Sequence, residues 1–161
     1  MRLVSNQDER RNLLREYELP STVFIDQDTP LRANLSLLEN ISIGMQYRRN
    51  LSNEVAIKLT SCLLEKMMMI RSANKRVEKL THSEIFVGKF FRAATTNVEN
   101  IIIDRPALLL PDVRYSDFLI FMANTLAAEP RCEVLKKLPK CTVIDYEWNK
   151  SIWDNLEIQN A

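Results

Sequence analysis

The chain has 161 residues, 46% hydrophobic and 27% charged, the make-up of an ordinary globular domain with one real core. Its formal charge is +1, from 22 basic against 21 acidic side chains, which excludes a global field drawing it to nucleic acid or to an anionic membrane surface. Only Gly44 and Gly88 occur, where average usage of about 7% predicts roughly eleven glycines, and a phosphate-cradling loop that needs several is thereby excluded.

At the N-terminus, Arg2 is followed by a polar stretch from Ser5 to Arg11, giving neither the apolar core of a signal peptide nor a transmembrane run. Gln7 to Glu16 reads as a charged helix with Leu13 and Leu14 on its apolar side, ended by Pro20. Ser21 to Ile25 reads as a strand, stopped by the polar string Asp26, Gln27, Asp28, Thr29 and Pro30. Two helices are expected at Leu37–Met45 and Glu54–Ile70. The second is capped by Ser52 or Asn53 and carries Val55, Leu59, Leu63 and Met67 at spacings of four.

The basic stretch Arg71–Lys79 leads to Leu80. A helix over Ser83–Thr95 and an apolar strand over Asn100–Asp104 follow, broken by Pro106. Ser116 is positioned to cap a helix through about Ala127, and the Lys136–Lys140 region leads into a third strand, Cys141–Ile144. A last helix is expected over Trp148–Ile158. Strands separated by helices predict an α/β fold with a parallel sheet, and no internal repeat is present. Cys62, Cys132 and Cys141, odd in number and widely spaced, read as reduced thiols packed as small hydrophobes, pointing to a cytoplasmic protein.

Taken in order, Leu80-Thr81-His82-Ser83-Glu84, then Arg92-Ala93, then Ile101-Ile102-Ile103-Asp104 resemble the signature, the following helix and the Walker B strand of ABC-type ATPases. Upstream, Val23-Phe24-Ile25-Asp26-Gln27-Asp28 resembles the strand entering the Q-loop, and Leu37-Leu38-Glu39-Asn40-Ile41 the start of the helical subdomain of transporter ATPases. The resemblance spans about Leu3 to Ile144. It implies a single ABC ATPase-like domain over residues 1–161, with a truncated P-loop NTPase-like parallel sheet of about three strands and a helical subdomain over residues 32–79. The vestigial nucleotide-binding positions it implies are Gln27, Thr81, Ser83 and Asp104.

The departures from the family bear on its chemistry. Only some twenty residues precede the Q-loop strand, so the Walker A strand, loop and helix are expected to be missing, and with them the donors for phosphate and the hydroxyl for Mg²⁺. Arg105 stands where the family places its catalytic glutamate, and a guanidinium cannot polarise an attacking water. His82 and Ser83 replace the signature glycines. Leu108–Pro111 replaces the D-loop pattern, and Tyr146 or Glu147 falls where the switch histidine is expected.

Each position also has a purely structural reading. Thr81 and Glu84 make a capping box for the helix that follows. Asp104 ends a buried strand by capping backbone amides. Gln27 is a plain loop amide, His82 a surface residue, and Met67-Met68-Met69 core packing.

The expectation is a non-catalytic ABC-like protein, with no catalytic or metal-ligating residue and no cofactor of its own. It would act as an interaction or regulatory subunit, with a membrane permease, an intact ATPase subunit or a second copy of itself as partner. It would bind no nucleic acid, insert into no membrane, and lie in the cytoplasm or at the inner membrane through that partner. The alternative is half of a split ATP-binding enzyme, completed with ATP and Mg²⁺ by a chain carrying Walker A. An expressed fragment of a longer gene is a third reading.

Overall fold

The computed structural model describes residues 1–127 and 139–151. In chain order its elements are β1 (Arg2–Val4), α1 (Gln7–Glu16), β2 (Thr22–Ile25), α2 (Leu37–Arg49), α3 (Asn53–Lys66), α4 (His82–Ala94), β3 (Asn100–Asp104), α5 (Pro106–Leu109), α6 (Tyr115–Ala127) and β4 (Lys140–Tyr146), with single 3₁₀ turns at Ile70–Ser72, Val77–Lys79 and Glu147–Asn149. The sheet is parallel throughout, in the order β1-β4-β3-β2. Cys132 and most of the expected last helix lie outside the described residues.

The sheet corrects the expected strand count: it has four strands, because Arg2–Val4 pairs with β4 in the register Arg2 to Ile144 and Val4 to Tyr146. This short strand lies on the side of β4 away from β3, and α1 follows it after Ser5 and Asn6. A strand and a helix thus precede β2 in the chain. What is short is the connection between them.

Both faces of the sheet are covered, which is why β3 reads as an unbroken apolar run. Alternate side chains point to opposite faces. Val4, Ile102 and Ile144 pack against Leu13, Leu14 and Tyr17 of the α1 region, while Ile25, Ile101 and Ile103 join the larger core formed with α2, α3 and α4. On α3 the buried positions are Ala56, Thr60, Leu63 and Leu64, so the inward stripe is rotated from the expected one and Val55 is exposed.

Capping residues fix the helix starts. Ser36 and Glu39 form a capping box on α2, Ser52 caps α3, and Thr81 with Glu84 forms a second box on α4. Ser116 does not cap α6: the helix begins at Tyr115, and the Ser116 hydroxyl is buried with no partner among the described residues. The methionine run divides, with Met67 buried, Met69 partly buried, and Met68 81% exposed at a left-handed φ of 57°. Of the described cysteines, Cys62 is half-buried and Cys141 exposed, so packing as a small hydrophobe fits the first and not the second.

Both glycines lie where α2 crosses α4. A Cβ on Gly88 would come within 2.7 Å of Leu37 and 2.9 Å of Leu31, and one on Gly44 within 3.2 Å of the Arg92 carbonyl. Their role is close helix approach. Among the described residues, no helix is long and apolar enough to cross a membrane.

Candidate functional site

In open parallel sheets, ligands bind in the crevice outside the carboxyl ends of the strands. Here that rim carries Ser5–Asn6 after β1, Asp26–Gln27 after β2, Asp104–Arg105 at the end of β3, and Tyr146 at the end of β4. The chain leaves β3 with Arg105 in the left-handed region, at φ 49°, its N–H donated to Ile144 O. That turn directs the Arg105 guanidinium back to Asp104, where Nε donates to Oδ2 at 3.1 Å.

Asp104 is 3% exposed and Arg10, from α1, 8% exposed. The Arg10 Nε donates to Asp104 Oδ1 at 2.7 Å, and its Nη2 donates to Oδ2, a bidentate ion pair across 94 positions of sequence. The bond to Asp104 holds the Arg10 guanidinium above its ordinary pKa despite its burial. Among the described residues Asp104 therefore caps no backbone amide, contrary to its structural reading. Both oxygens are held by cationic side chains instead.

The start of α1 is closed in the same manner. Asn6 Oδ1 accepts the Glu9 N–H at 2.9 Å, and the Glu9 carboxylate accepts the Ser5 N–H at 2.8 Å and its hydroxyl at 2.6 Å. A helix N-terminus favours an anion. The anion here is the chain's own, and its hydrogen bonds to Ser5 hold the Glu9 carboxyl below its ordinary pKa.

A magnesium–triphosphate does not fit these residues. The metal would have to break a buried bidentate pair and stand beside the displaced guanidinium. The phosphates would meet Glu9 where donors are required. Among the described residues, no group of three or more His, Cys, Asp and Glu side chains is placed to hold a metal ion.

The four positions implied by resemblance separate into two places. Gln27 and Asp104 lie at the carboxyl ends of the adjacent strands β2 and β3. Gln27 is exposed, and its Nε2 donates to Leu108 O at 3.4 Å. Thr81 and Ser83 stand at the start of α4. There the Thr81 hydroxyl accepts the Glu84 N–H, and Glu84 accepts the Thr81 N–H, the Ser72 hydroxyl and, at 3.3 Å, Lys75 Nζ. The capping-box reading of Thr81 and Glu84 is thus observed. His82 is exposed, as expected, with Asp112 Oδ2 at 2.5 Å from its Nδ1.

Of the residues that close the rim, Asp104, Arg105 and Tyr146 stand out in the sequence, whereas Glu9, Arg10 and Asp145 do not. Arg10 lies three and four positions before Leu13 and Leu14, on the apolar side of a charged helix, and that placement was the available signal. Asp145 is buried and accepts from the Tyr115 hydroxyl at 3.0 Å and from Asn149 at 2.9 Å, fixing the end of β4. Tyr146 donates to Gln7 Oε1 at 2.6 Å and stacks on Trp148, joining that end to α1.

No family model matches the sequence, and no curated protein does. Solved structures do match the fold. A dimeric post-hydrolysis state of the ATP-binding cassette MJ0796, bound to ADP and Pi, superposes with a TM-score of 0.58 at 20% identity, over 91% of this chain and 59% of that one. The dimeric structure of MJ0796 described as a bacterial ABC transporter cassette gives 0.57 at 21% identity, over 89% of this chain and 59% of that one. The chain thus has an ABC-cassette-like α/β fold with a four-stranded parallel sheet and spans 59% of the cassettes it matches.

Proposed function

We propose that this protein is a non-catalytic relative of the ABC cassettes, acting as an interaction or regulatory subunit beside an intact ATPase or a transporter component. The observation that carries the reading is the buried bidentate pair of Arg10 with Asp104. A guanidinium held on the one rim carboxylate of β3 supplies internally the positive charge that a metal–nucleotide would otherwise bring. Arg105 adds a second cation, and no carboxylate stands next to Asp104 to orient a water.

A partner role accords with the rest of the molecule. The sheet ends on β1, a three-residue strand with one side unpaired among the described residues. A short edge of this kind, carrying Arg2, resists indiscriminate pairing and leaves room for a specific partner.

The split-enzyme reading differs in what it asks of Asp104, and hydrolysis separates the two. The chain is mixed with the ATPase encoded by a neighbouring gene, and turnover is compared for the wild-type chain and Asp104→Asn. The interaction role predicts a change in the partner's turnover that survives the substitution. Turnover that appears only in the mixture and is abolished by Asp104→Asn would overturn it.

A further inference from the structure

Between α4 and β2 lies a cavity of about 140 Å³, lined by Lys89, Arg92, Thr29 and Thr96 over an apolar floor that includes Val23 and Phe24. Lys89 and Arg92 stand one turn apart on α4, so they face the cavity from the same side. Lys89 is only 6% exposed. Its ammonium donates to Asp26 O, and Arg92 Nη1 donates to Pro30 O at 3.1 Å.

Both acceptors are neutral carbonyls. An ammonium carries three N–H donors and a guanidinium five, so the pair brings more donors and more charge than these bonds use. No carboxylate lines the cavity among the described residues, and Asp26 Oδ1 already accepts from the N–H and hydroxyl of Thr29. The charges of Asp26 and Asp28 work against burial at Lys89, Asp26 the more strongly, and among the described residues neither carboxylate makes a direct ion pair with it. Burial pushes both cations below their ordinary pKa values, and Arg92 adds to the effect on Lys89. The Lys89 charge is thus buried without a direct ion pair among the described residues, which is costly.

We propose that this cavity binds a compact oxyanion, the phosphoryl group of inorganic phosphate or of a small phosphomonoester, held between Lys89 and Arg92. One water needs roughly 10–15 Å³ of such space, so the cavity admits a group of several heavy atoms. The anion would satisfy the spare donors and bind α4 to the 26–30 loop, which carries Gln27. The site lies apart from the Arg10–Asp104 pair, and the inference does not rest on the function proposed above.

The test is thermal unfolding and calorimetry of the full chain with inorganic phosphate, glycerol 3-phosphate and sodium chloride at matched ionic strength. Phosphate is expected to bind saturably and raise Tm, and chloride is not. Lys89→Met, which keeps the aliphatic stem, and Arg92→Met each weaken phosphate binding by about tenfold or more, the loss of one charge-assisted contact. Tighter binding of glycerol 3-phosphate assigns the site to a phosphomonoester, and weaker binding assigns it to the free ion. A chloride response equal to that of phosphate, or equal phosphate binding by the wild type and both variants, overturns the proposal.

Discussion

Arg10 and Asp104 are partners whose separate removal has unequal consequences from their joint removal. Arg10→Met leaves a buried carboxylate with only Arg105 beside it, and an uncompensated buried charge costs about 3 kcal/mol. Arg10→Met with Asp104→Leu removes both charges and is expected to recover most of that loss, since well-packed apolar replacements of buried pairs are near neutral. Urea unfolding of the wild type, Arg10→Met, Asp104→Leu and the double variant measures the coupling. A double variant no more stable than Arg10→Met would contradict the cost assigned to the unpaired Asp104 carboxylate.

Glu84 gives a second residue-scale prediction. Burial works to raise its carboxyl, and the bonds from Ser72, the Thr81 amide and Lys75 outweigh it, so its pKa lies below the ordinary 4.5. The unfolded chain then takes up a proton on this group before the folded chain does, and stability falls with acid. The contribution is complete above the ordinary value and is lost as pH falls through the lower folded one. Wild type is expected to exceed Glu84→Gln in stability at neutral pH, and the gap should close in acid. A gap unchanged from neutral pH to pH 3 contradicts this sign.

At the scale of elements, the α2–α4 crossing depends on the glycines. Any side chain at Gly88 must displace Leu37 and Leu31, and Gly88→Val is expected to cost about 2 kcal/mol or more by overpacking. Gly88→Ala should cost less, because the atoms met are the ends of flexible leucines. Chemical denaturation of both variants tests the order.

The elements themselves were largely legible. Asn100–Asp104 follows from an apolar run ended by Asp and Pro, and the α4 start from Thr81 and Glu84. The strand β1 was not legible: three residues give no period, and Arg2–Val4 is a strand only because β4 pairs with it. Arg10 and Asp104 were separately visible, but their meeting depends on α1 packing across β4 and β3. Lys89 and Arg92 were hidden for a related reason, since their spare donors appear only once the 26–30 loop lies over α4.

For the whole molecule, glycine scarcity, the two-residue link from β1 to α1, Arg105, and the Arg10–Asp104 pair bear on one question. The fold is cassette-like, and the rim at the carboxyl ends of its strands is filled by the protein's own charges. Glu9 stands at the helix start and Arg10 stands on the strand-end carboxylate. On the function proposed above, each supplies internally a charge that a bound metal–nucleotide would bring from outside.

Calorimetric titration of the purified chain with Mg²⁺ and ATP tests this most directly. No saturable binding in the micromolar range is expected for the wild type. Micromolar binding of Mg²⁺ and ATP by the chain alone, lost in Asp104→Asn, would contradict it.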